Sequence, residues 1–247
     1  MAFRIEKAAG ALVVALVMFE AGAAAESVTV LVRHSHLRKG AAGQIRINES
    51  SISFGEAGKR RSHSREWAYE DIQQLYVAAD RIRIVTYEDV SWKLGKDREY
   101  VFDELPEGAA QRILTALRGR IDERRVVAAM PDMSIQPIWQ VRAKLLEGRG
   151  GSEGTVLVSD RSIVYNSAER NASRTWHFPQ IDNISSSGPF DLTITAFEQD
   201  GSRFAGRRDY RFHLKTELSE DRYNALWRRL NETRLSSMNT PSKENSK

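Results

Sequence analysis

Few residues in this sequence have the types and spacing that chemistry requires. His34 and His36 fall two apart in an alternating apolar segment, so on a strand both rings point the same way. With His63 or a carboxylate beside them, they form a candidate ligand pair for a divalent transition metal. The second half of the chain has no matching pair, and His177 and His213 stand alone, as expected of solvated strand faces. The run Gly148-Arg-Gly-Gly-Ser-Glu-Gly154 lacks the Lys-Ser/Thr ending of a phosphate loop and precedes a strand, which predicts a flexible loop. No nucleophile elbow, zinc-helix or phosphate-loop motif occurs anywhere. The chain contains no cysteine, which removes disulfides, thiol nucleophiles and cysteine metal sites. The sequence therefore nominates no catalytic residue and no cofactor.

These side chains need elements to hold them, and the first element is an address. A short basic start (Arg4, Lys7) precedes an apolar run from Ala8 to Phe19 and the small residues Ala23-Ala24-Ala25. This is the layout of a signal peptide over 1–25, cut before Glu26, with a cut after Ala23 as the alternative. As a helix the apolar run would reach about 18 Å, against roughly 30 Å of hydrocarbon core. The expectation is export to a periplasmic or extracellular space, with an uncleaved N-terminal anchor as the alternative.

The rest of the chain repeats itself. Gly43-Gln-Ile45-Arg-Ile47, a polar turn and Ile52-Ser-Phe54 align without a gap on Gly154-Thr-Val156-Leu-Val158, a turn and Ile163-Val-Tyr165. Trp67-Ala-Tyr69-Glu-Asp-Ile72 aligns on Trp176-His-Phe178-Pro-Gln-Ile181. Ile82 to Glu88 aligns on Leu192 to Glu198, and Arg98-Glu-Tyr100-Val-Phe102 on Arg208-Asp-Tyr210-Arg-Phe212. Alternation with period two predicts half-buried antiparallel strands. The paired carboxylates Glu88 and Glu198 then read as shared architecture. Opening strands are expected over Ser27–His36 and Ile138–Leu146.

Each copy closes with an amphipathic helix. Pro106-Glu107 opens the first, with Ile113, Leu114, Leu117 and Ile121 on one face. Ser219 caps the second, whose buried stripe is expected to be Tyr223, Leu226, Trp227 and Leu230. The boundaries follow: one domain over 26–123, a linker over 124–136, a second domain over 137–234 and a disordered tail over 235–247.

A glycine-led hairpin, an aromatic-led strand ending Asp71-Ile72 or Gln180-Ile181, and a closing helix come in the order of a pleckstrin-homology-like (PH-like) domain. Each copy resembles the GRAM or bacterial PH-like branch of that superfamily. The resemblance implies a mainly β, α+β fold of two units, each a bent antiparallel sheet or partly open barrel of about seven strands capped by its C-terminal helix. It also implies a place to look for anionic head groups, the loop joining the first two strands, which here carries Arg38 and Lys39. The next loop holds the denser run Lys59, Arg60, Arg61 and Arg65, a type of cluster that can bind phosphate or sulfate.

Three functional readings follow. The first is a non-enzymatic exported interaction module for a protein or the cell-envelope surface. The second is peripheral binding of an anionic lipid or other anionic ligand through the basic loops. The third is a metal-dependent enzyme using His34 and His36. Nucleic acid is not an expected partner, since no basic surface interleaved with stacking aromatics can be picked out.

Overall fold

A computed structural model describes residues 27–35, 40–57, 63–91, 93–147, 150–199 and 206–239. The fold is mainly β. The first half of the chain forms β1 (Val28–His34), β2 (Ala41–Ile47), β3 (Ser51–Glu56), β4 (Arg65–Ala68), β5 (Ile72–Ala78), β6 (Arg81–Val90) and β7 (Lys93–Asp103), then α1 (Ala109–Leu117). A short strand β8 (Val126–Ala129) follows. The second half forms β9 (Trp139–Glu147), β10 (Gly150–Val158), β11 (Ser162–Ser167), β12 (Arg174–His177), β13 (Ile181–Ser185), β14 (Asp191–Ala196) and β15 (Arg208–Leu214), then α2 (Glu220–Asn239).

Strand pairing runs in the same order in both halves. It is β4-β3-β2-β1-β7-β6-β5 in the first and β12-β11-β10-β9-β15-β14-β13 in the second. The registers agree residue by residue: Ile45 faces Phe54 as Val156 faces Tyr165, and Ile84 faces Tyr100 as Ile194 faces Tyr210. Each half buries its own apolar cluster, one centred on Ile45, Ile72 and Phe102, the other on Val156, Ile181 and Phe212. The rings also repeat. Trp67 meets Tyr100 edge-on at 4.9 Å, and Trp176 meets Tyr210 at 4.8 Å. These are favourable edge-to-face pairs in addition to the area they bury.

The matched glycines of the hairpins have a steric cause. A Cβ on Gly43 would stand 2.6 Å from the Phe54 ring, and one on Gly154 would stand 2.7 Å from the Tyr165 ring. No side chain fits where the aromatic of the next strand folds over the backbone.

The segment 124–136 differs from the expected linker. Its Val-Val-Ala-Ala run is β8, parallel to β5 from Leu75–Val126 to Ala78–Ala129, and antiparallel to β12 at Thr175–Ala128. Small and β-branched apolar residues suit a strand buried on both faces, and Val126, Val127 and Ala128 are all buried. Through β8 the described strands join into one sheet of fifteen.

Other boundaries shift for local reasons. The Gly148–Gly154 stretch is strand from Gly150, which pairs with Glu147; residues 148 and 149 lie outside the described residues. Helix α2 continues to Asn239 instead of stopping before 235. Residues 240–247 and 1–26 lie outside the described residues. On α2, Leu226 and Leu230 are buried, but Trp227 is 47% exposed and does not belong to the buried stripe. Among the described residues, no helix is long and apolar enough to cross a membrane.

Candidate functional site: a cleft between the two halves

Polar contacts join the halves besides β8, among them an ion pair of Arg170 with Asp80 at 2.8 Å. The carboxamide of Gln74 on β5 donates to the Phe197 carbonyl at 3.0 Å and accepts from the Gln199 backbone N–H at 2.6 Å. The Tyr76 hydroxyl donates to the Gln199 carbonyl at 2.7 Å. Burial, reinforced by the nearby Glu198 carboxylate, pushes the Tyr76 phenol up to about 12. Below β8, Gln180 donates to the Val126 carbonyl at 2.8 Å, and Thr175 donates to the Met130 carbonyl at 2.9 Å.

Strands β8 and β12 pair at a single position and then diverge. A cleft of about 630 Å³ opens there. Its floor is the sheet face of β8 and β12, with Val126, Ala128 and His177. One wall is α1, through Leu114 and Arg118; the other is the β10–β11 turn, Ser159 to Ser162. Met130 and Ile135 add apolar surface along the segment that follows β8. The volume is that of a binding cleft, and its lining mixes apolar side chains with many polar ones.

Charges of both signs stand at its mouth. Arg118 and Glu123 line it, and neither side chain forms an ion pair with another described residue. Arg161 has only its neighbour Asp160, at 3.8 Å, and both are exposed. His177 is half-buried here, not solvated as expected. Burial holds its imidazole below the ordinary value, partly offset by Glu123.

Of the residues nominated from sequence, His36, Arg38, Lys39, Lys59, Arg60 and Arg61 lie outside the described residues. Arg65 is described and is committed. It pairs with Glu88 and lies over the Tyr100 ring, 5.0 Å from its centre. His34 ends β1 with its ring buried, stacked on Phe102 at 4.9 Å. It occupies the core position that Leu145 fills in the second half, as the matched registers of β1 and β9 show. His63 comes within 6.0 Å of it, ring to ring, and hydrogen-bonds Glu56 at 3.2 Å. Among the described residues, no group of three or more histidine and carboxylate side chains is arranged to hold a metal.

The matched carboxylates diverge in environment. Glu198 is almost fully buried, hydrogen-bonded by the Tyr210 hydroxyl and paired with Arg208 at 3.2 Å. Burial and that carboxylate together raise the Tyr210 phenol well above its ordinary range. Its counterpart Glu88 is exposed, shared between Arg65 and Arg98. The chemistry of this repeated cluster is ion pairing.

Sequence reasoning missed the cleft. It is assembled from α1, β8, the β10–β11 turn and β12, which are far apart in the chain. The one available signal was the alternation of Val126, Ala128 and Met130 inside the supposed linker.

No family model and no curated protein matches the chain. Among solved structures, it is similar to the C-terminal domain of an unknown protein from Leishmania infantum, at 13% identity over 39% of this chain and 84% of that one, with a TM-score of 0.30. It is also similar to the Spt16D–Pob3N heterodimer, at 11% identity over 71% of this chain and 89% of that one, with a TM-score of 0.29.

Proposed function

We propose that the protein is a non-enzymatic, exported binding module built from two PH-like copies, which holds a segment of a partner protein in the cleft between them. The observation that carries this reading is the cleft itself, in which Leu114, Val126, Ala128, Met130 and Ile135 give apolar surface beside Arg118, Glu123 and Arg161. A purely anionic ligand would leave Glu123 and Asp132 facing like charge. A polypeptide offers apolar side chains for the floor and either charge for the rim.

The test is selection of a phage-displayed random peptide library on the chain beginning at Glu26, which retains every described element. Enriched peptides are expected to carry an apolar centre flanked by charged residues. Leu114→Asp and Ile135→Asp, both at half-buried positions, are each expected to weaken their binding by about tenfold or more, since an apolar anchor is worth at least ~1.4 kcal/mol. Thermal unfolding of both variants checks that the fold is kept. Failure to enrich any peptide, or equal binding to both variants, would refute the reading.

A further inference from the structure

The repeat supplies a control for the floor of the cleft. Ala68 ends β4 and His177 ends β12, at matched positions of the two halves. Their backbones are alike, with φ −63° and ψ 150° at Ala68 and φ −74° and ψ 149° at His177. Ala68 pairs with Ser51 as His177 pairs with Ser162. The N–H that follows closes on the Ser50 carbonyl in one half and on the Arg161 carbonyl in the other. An alanine therefore meets the demands that the fold makes at this position. The imidazole is an addition, and it stands in the copy whose face lines the cleft.

We infer that His177 makes the cleft a pH-gated site: a partner segment lays an uncharged side chain over the neutral imidazole and is released when the ring takes up a proton. This rests on the reading of the cleft as a polypeptide site, and adds the chemistry of the contact at its floor and the means of its control.

Three observations carry it. The ring is half-buried beside the apolar Val126 and Ala128, so a segment seated on the floor strips more water from it. Loss of water penalises the charged imidazole, so the segment binds the neutral ring more tightly and, by linkage, a proton displaces the segment. Second, the charges around the ring are divided. Glu123 and Asp132 favour its proton and Arg118 at the end of α1 opposes it, while Arg161 and Asp160 on the β10–β11 turn are exposed and pair with each other. Asp132 is already committed to the Ser134 N–H and hydroxyl, at 3.0 and 2.6 Å. Burial outweighs both carboxylates and keeps the ring neutral to a lower pH than a free histidine. Third, His34, His63 and His213, the other described histidines, do not line the cleft, so a response there in mild acid belongs to His177.

Peptides enriched on the cleft at neutral pH are the probe, with their binding to the chain beginning at Glu26 read by fluorescence anisotropy. Binding to the parent chain is expected to weaken about fivefold or more from about pH 7.5 to about pH 5, as a further lowering of the imidazole by about one unit requires. His177→Ala, which copies the first half, and His177→Gln, which keeps a polar group, are each expected to change less than about twofold over the same range. Thermal midpoints at both pH values check that the fold is kept. Capture of no peptide at either pH overturns the reading of the cleft and this inference with it. Peptides that bind the parent equally at both pH values, that bind more tightly in acid, or that weaken as much on the variants as on the parent overturn the gating alone.

Discussion

Ala128→Pro is expected to split thermal unfolding into two transitions and to lower the stability of the joined molecule. Ala128 is buried in β8 and paired on both sides, with Val77 and Thr175. Proline supplies no N–H to that ladder, and its ring is tolerated only at sheet edges. The cost should be on the order of the ~3 kcal/mol that a misplaced proline imposes on a helix interior. Because each half has its own apolar cluster, the loss falls on their coupling and leaves both cores in place. Differential scanning calorimetry reads this directly: one cooperative peak for the parent chain and two for the variant. A single, unshifted peak in the variant would mean that β8 does not join the halves.

Arg208→Ala is the second large effect, and the repeat supplies its control. Glu198 is buried, and Arg208 is the cation that pairs with it. Removing one partner of a buried pair strands the other charge, which typically costs about 3–5 kcal/mol. Arg208 keeps some contact with solvent, which points to the lower end of that range, about 3 kcal/mol. Arg98→Ala removes the matched cation in the first half, where Glu88 is exposed and keeps Arg65. That variant should be close to the parent in denaturant unfolding, as exposed pairs contribute little. Equal losses from the two substitutions would show that Glu198 is not sequestered.

That contrast shows where sequence reading stops. The alternation of Ile45, Ile47, Val156 and Val158 has the period of a pleated strand, and the matched aromatics lie at the same offsets, so the strands and their doubling are visible in one dimension. Burial of Glu198 but not Glu88 is invisible there, because Gln74 and Tyr76 of the other half cover the segment that follows β14 and nothing described covers Glu88 in the same way. Strand β8 has no counterpart among the described residues of the second half, so a comparison of the copies passes over it. The cleft inherits both difficulties, since its floor is β8 and its walls come from different copies. Trp227 falls outside the buried stripe because helical periodicity locates an apolar stripe but not its width, and among the described side chains α2 buries Leu226 and Leu230.

Everything distinctive here, the continuous sheet, the cleft and the coupling of the halves, depends on β8 being a strand. Hydrogen exchange at Val127, Ala128 and Ala129 tests that most directly. The structure predicts that these amides exchange as slowly as those of β5 beside them, opening only with the cooperative unit they join. Exchange at the rate of an exposed connection, with β5 still protected, would return 124–136 to a linker and remove the floor of the proposed binding site.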